Sequence, residues 1–192
     1  RWAKEGEQLA LLNEQTVTID PYYGVVADAN GAQGLAGIMG GEPTAIDSET
    51  TDVFVEAAFW YPVQIQGRCR RLNFTSDAAH RFERGVDWGT NAEHVEYITR
   101  LILDICGTEN TKVGPVDDHV ANLPAKRVVK MRADRCRKVI GYDISTEFMN
   151  EAFTRLGFEF TRDGEIFTVT SPSYRFDIEI EEDLIEEVAR LR

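Results

Sequence analysis

The sequence is poor in the residues on which several kinds of chemistry depend. It has three cysteines, Cys69, Cys106 and Cys136, separated by 37 and 30 residues with no CxxC pair. That spacing argues against a zinc site or a disulfide framework and fits a reduced, cytoplasmic protein. Three histidines, with no ligand-like spacing at His94 or His119, leave no Ser-His-Asp or Cys-His set from which to build a covalent nucleophile. No apolar run reaches 18 residues, and there is no signal-like N-terminus, so neither a membrane span nor secretion is indicated. Lys and Arg are outnumbered 21 to 33 by Asp and Glu, for a net charge of −12. That balance argues against general nucleic-acid binding, which neutralises phosphates with cations.

What is present is enough for a real core: 43% hydrophobic and 10% aromatic residues over 192 positions. The chain starts at Arg1-Trp2 and stops at Leu191-Arg192 inside a helical pattern, as expected of a piece of something longer. Charge is unevenly spread. Residues 177–187 hold seven acids and no Lys or Arg, and without them the net charge is −5. Arg68, Arg70, Arg71, Arg81 and Arg84 cluster instead near the middle, beside the pocket proposed below, which leaves a locally basic mouth open to an otherwise acidic chain.

The stretch from Gly34 to Gly85 organises the first part. It opens with GLAGIMGGE, passes through VEAAFWYP with one acid, Glu56, in an apolar run, and closes with TSDAAHRFERG. Glycine lets backbone approach a ligand because it has no Cβ. A glycine bend, a lone acid and small wall residues suggest a pocket; a tight bend in a sheet is the structural alternative. Gly34, Gly37, Gly40 and Gly41 have the wrong spacing for a dinucleotide fingerprint. Glu56 is either exposed on a strand or buried with a partner. Asp77, His80 and Glu83 form either an acid–base set or a helix salt-bridged by Arg81 and Arg84.

The pattern predicts short strands at 2–4, 9–12, 17–19 and 25–28, a glycine-broken strand at 33–39, and a strand at 53–58. A helix from Pro62 to about Arg71, a short helix capped by Ser76 or Asp77 and stopped by Gly85, and a long helix over 88–105 follow. Residues 107–125 read as a linker, placing domains at 1–122 and 123–192. The second domain reads β-α-α-β-β-α, with a hairpin turning at Arg162–Glu165. Its last helix carries Asp183, Glu186 and Glu187 on one face. These either form a solvated acidic face or, with oxygen donors at helical spacing, hold a hard cation.

The blocks GLAGIMGGE, VEAAFWYP, GRCRR, TSDAAHRFERGVD and PSYRFDIEIEEDLIEEVAR, in that order, resemble the β subunit of bacterial phenylalanyl-tRNA synthetase. The resemblance covers nearly the whole chain and implies an α+β fold: the later part of an editing domain, a mixed sheet with flanking helices, followed by a small winged-helix-like domain. It implies an α2β2 enzyme that attaches phenylalanine to tRNA(Phe) with ATP and magnesium, the α subunit and that tRNA being its partners, with no DNA and no membrane. The editing domain hydrolyses tyrosyl-tRNA made in error by a positioned water. In this reading Glu56 accepts the tyrosine hydroxyl. Gly37, Gly40, Ser76 and Ala78 line the pocket, Ser76 standing where the family commonly has Thr. Further pocket residues, a histidine among them, lie upstream of Arg1. Carboxylates matching Asp177, Asp183, Glu186 and Glu187 hold a Mg2+ ion shared with the α subunit. The isolated chain is expected to be inactive. The rivals are a non-catalytic RNA- or protein-binding module with a vestigial pocket, and a free-standing editing hydrolase.

Overall fold

A computed structural model describes residues 1–192 as a mixed α+β chain of two compact units, Arg1–Val86 with Thr90–Asp118, and Asp87–Gly89 with His119–Arg192. In the first unit, β1 (Glu7–Ala10) and β2 (Thr16–Ile19) form an antiparallel hairpin with Leu9 opposite Val17. β3 (Val25–Ala27), β4 (Ala32–Leu35) and β5 (Met39–Gly40) form an antiparallel meander. Alternating residues of these strands, Leu9, Val17, Ile19, Val25 and Leu35, turn inward and make the core with Leu11, Tyr23 and Ile38. The strand expected at 2–4 is reduced to a single bridge between Trp2 and Gly24.

The helical half begins where Pro62 takes the first turn of α1 (Pro62–Ile65), as its fixed φ favours. The single helix expected to reach Arg71 is interrupted at Gly67, whose φ of +77° is open to glycine at no steric cost, and resumes as α2 (Arg68–Arg71). α3 (Asp77–Phe82) is capped by Ser76, and α4 (Asn91–Cys106) ends at Gly107. Residues 53–58 form no strand: Val53 and Phe54 are exposed, and the segment pairs with neither sheet. Strand propensity is realised only where a neighbour offers a ladder and a surface to pack on, and here there is none. No residue of α4 is buried, although Val95, Ile98, Leu101, Ile102 and Ile105 keep helical spacing.

In the second unit the expected order is found: β6 (Val128–Arg132), α5 (Ala133–Ile140), α6 (Thr146–Arg155), β7 (Glu159–Asp163), β8 (Ile166–Thr170) and α7 (Glu181–Arg190). The sheet order is β6-β8-β7, all antiparallel, and Gly164 at φ +56° makes the tight hairpin turn possible. Ser145 caps α6, accepting from the Phe148 amide, and Gly141 closes α5 in the left-handed conformation. Met131, Phe167 and Val169 from the sheet, Cys136 from α5, Met149 and Phe153 from α6, and Leu184 and Val188 from α7 are fully buried together. No helix is long and apolar enough to cross a membrane.

Candidate functional site

In the first unit the glycine-rich stretch folds as the β4–β5 hairpin. Gly37 sits in its turn at φ +67°, where the Ile38 amide donates back to the Leu35 carbonyl. A Cβ on Gly37 would lie 2.7 Å from the Trp60 indole and 2.9 Å from Ile65, so the absent side chain is what seats Trp60. Gly41 has no room for a side chain either, since a Cβ would come 2.4 Å from the Gln33 carbonyl oxygen. Gly41 thus serves close packing within the sheet, and Gly37 serves the approach of Trp60 and Ile65 to the hairpin turn. Gly40 is exposed on β5 beside Leu12.

Ser76 ties this turn to α3. Its hydroxyl donates to the Ile38 carbonyl at 2.6 Å and accepts from the Ala79 amide at 3.1 Å. One side chain therefore caps the helix and holds the hairpin turn. Ala78, on the first turn of α3, is exposed; it is Ala79 that is buried. Glu56 is also an exposed residue, yet desolvation by surrounding atoms raises its carboxyl above the ordinary range, with no cation acting against that rise. The structure thus joins Gly37, through Ile38, to Ser76, and places Glu56 on the segment that leads to Trp60.

Arg70, Arg71, Arg81 and Arg84 are exposed, whereas Arg68 is withdrawn from any basic mouth. That side chain is buried, donating from Nε to the Tyr22 carbonyl at 2.8 Å and from Nη1 to the Val63 carbonyl at 2.8 Å, with its guanidinium 4.2 Å from the Tyr22 ring centroid. Arg71 stacks over the same ring and faces Asp20 at 3.8 Å. Tyr22, the partner that both share, lies more than 40 residues away in sequence. Arg81 pairs with Asp77, while Arg84 pairs with Glu83 and contacts His80, so of the two readings of that helix the salt-bridged one is found. Trp60 and Tyr22 organise this region and were not singled out by motif. The signal for Trp60 was a bulky aromatic facing a glycine at positive φ, which only the fold reveals.

In the second unit the acidic segment is laced with arginine. Arg175 forks onto both oxygens of Asp177, at 2.9 and 2.6 Å, and reaches Glu187 at 2.9 Å. Arg190 forks onto Glu187 at 3.0 and 2.5 Å. Glu187 is only 4% exposed, and a buried carboxylate requires such pairing. Burial would raise its pKa, but the two guanidinium groups outweigh that and hold it below the ordinary range. Arg175 likewise lowers Asp177. Asp183 caps α7, its Oδ2 accepting from the Glu179 and Ile180 amides at 2.8 and 2.9 Å. Glu186 is exposed. Farther along, Glu181 pairs with Arg132 and Arg135, and Glu182 with Arg135. No three acidic, histidine or cysteine side chains gather as a metal shell. Asp177 and Glu187 are thus held in an ion-paired latch, while Asp183 serves the start of α7.

Two family models match the chain, one after the other. The family model of the B3/4 domain matches residues 1–107, and that of the tRNA synthetase B5 domain matches residues 129–192. The phenylalanine–tRNA ligase beta subunits of Cupriavidus pinatubonensis, Burkholderia pseudomallei and Bordetella pertussis are each 56% identical to the chain over its whole length. The chain spans 24% of the first of these and 23% of the other two. Among solved structures, an N-terminal fragment of the phenylalanyl-tRNA synthetase beta subunit from Pyrococcus horikoshii aligns over 97% of this chain and 53% of its own, at 12% identity and a TM-score of 0.42. The chain therefore belongs to the phenylalanine–tRNA ligase beta-subunit family, of which it carries a B3/4 domain followed by a B5 domain.

Proposed function

We propose that this chain supplies part of an editing pocket that clears tyrosyl-tRNA within a phenylalanine–tRNA ligase. The observation that carries the reading is Glu56, a carboxyl raised by desolvation with no cation beside it, on the segment whose Trp60 is seated on Gly37. An apolar amino-acid pocket rejects an added hydroxyl by only about a hundredfold, whereas a site that must hydrogen-bond that hydroxyl discriminates by about 10⁴ or more. A partly desolvated carboxylate suits the second task. Tyrosine gives it a donor; phenylalanine leaves it desolvated and unpaired. Ser76 retains a hydroxyl at the wall, and its bond to Ile38 holds the turn in place. Water, positioned by backbone and by the tRNA terminus, would be the nucleophile, in keeping with the absence of a Ser-His-Asp or Cys-His set.

The parent enzyme would ligate phenylalanine to its tRNA with ATP, in the cytoplasm, as a complex with an α subunit. The β-α-α-β-β-α unit would be a small winged-helix-like module within it. Magnesium at Asp177, Asp183, Glu186 and Glu187 would require Asp177 and Glu187 to leave their arginines and Asp183 to leave its helix cap. The test is hydrolysis of tyrosyl-tRNA by the full α–β enzyme, wild type against Glu56→Ala. The expected outcome is loss of tyrosine clearance with phenylalanine attachment retained. Equal clearance would overturn the assignment and leave the region as a scaffold or a docking module.

A further inference from the structure

We infer that Arg175 and Arg190 are the resident counter-cations of Asp177 and Glu187, and that a divalent cation enters here only when they are displaced. Every oxygen of these two carboxylates is engaged. Arg175 takes both oxygens of Asp177, Glu187 Oε1 accepts from Arg175 and from Arg190 Nε, and Glu187 Oε2 accepts from Arg190. A hard dication needs several such oxygens free to approach it at once. It would also meet two guanidinium groups at ion-pair distance from Glu187, and like charges at that range repel. Asp183 is committed separately, to the amides at the start of α7.

Arg175 is further held from behind, since Ser171 Oγ donates to its carbonyl at 2.7 Å and its guanidinium lies 5.7 Å from the Phe158 ring centroid. The latch thus ties the segment 171–177 to α7 and neutralises the buried Glu187 without a metal. Removing arginine while leaving the carboxylates would create an unpaired buried charge, a condition that favours cation uptake. This inference is independent of the editing reading, because the two sites lie in different units.

The test is Mn2+ binding to the 192-residue chain, followed by the loss of the free-ion paramagnetic resonance signal, with circular dichroism and thermal melting as controls. The wild-type chain is expected to leave the signal at its free amplitude across the millimolar range. Arg175→Met with Arg190→Met is expected to bind Mn2+ saturably and to melt at a higher temperature with it, and adding Glu187→Gln should abolish both effects. Should the double variant not fold, Arg175→Gln with Arg190→Gln, which removes both charges but keeps polar side chains, serves in its place; saturable Mn2+ binding is again expected. Saturable binding by the wild type that Glu187→Gln removes would overturn the inference. So would a folded double variant, of either kind, that binds no Mn2+.

Discussion

Cys136 is fully buried in the core of the second unit, and desolvation pushes its thiol up to about 11, whereas Cys106 at the end of α4 is exposed. Only the thiolate is an effective nucleophile. A maleimide added to the native chain is therefore expected to label Cys106 first and Cys136 only on unfolding; equal rates, read by mass spectrometry, would contradict the buried placement. Glu7 titrates in the opposite sense. Arg1 forks onto it at 2.9 and 2.6 Å and the Lys4 amide adds a third bond, holding its pKa at about 2 against an ordinary 4.5. A depressed carboxyl contributes stability that is complete above its unfolded value and is lost as pH falls toward its folded value. Glu7→Gln is expected to flatten the decline of the first unit's melting temperature between about pH 5 and pH 2. An acid limb identical to wild type would show that Arg1 contributes nothing.

Ser76 links two elements, so its loss should exceed that of a simple cap. Ser76→Ala is expected to cost about 1–2 kcal/mol, at the upper end for capping residues, while Ser76→Thr keeps the hydroxyl and most of the stability. Chemical denaturation of the first unit reads the difference. Gly37→Ala should cost a further, separate ~1–3 kcal/mol, from positive φ and from the collision with Trp60. These elements were legible to different degrees. The second unit follows its local signals closely because Ser145, Gly141 and Gly164 each act within their own turn. Residues 53–58 misled because an apolar, β-prone run says nothing of whether a partner strand lies alongside. Arg68 misled because a side chain's direction depends on distant partners, here the Tyr22 carbonyl and ring, that spacing does not encode. In the acidic helix the charges were visible, but Arg175 as the partner of Glu187, 12 residues away, emerges only in the fold.

Across the whole molecule, residues 107–127 carry no helix or strand, and Lys112 lies exposed within them. Brief trypsin digestion is expected to cut there early, ahead of sites within α5 to α7; survival of the intact chain under those conditions would show that the segment is protected. The same contrast sets how the chain exchanges its amide protons for deuterium. α7 places Leu184, Ile185 and Val188 in a core, so its amides open only with that core. α4, at 16 residues, has no buried side chain to hold it, and helices of that length draw little stability from their backbone alone. Its protons should be lost long before those of α7, giving the chain two clocks rather than one, and anything that settles on Tyr97, Ile98, Leu101 and Ile105 would announce itself by slowing the faster of them.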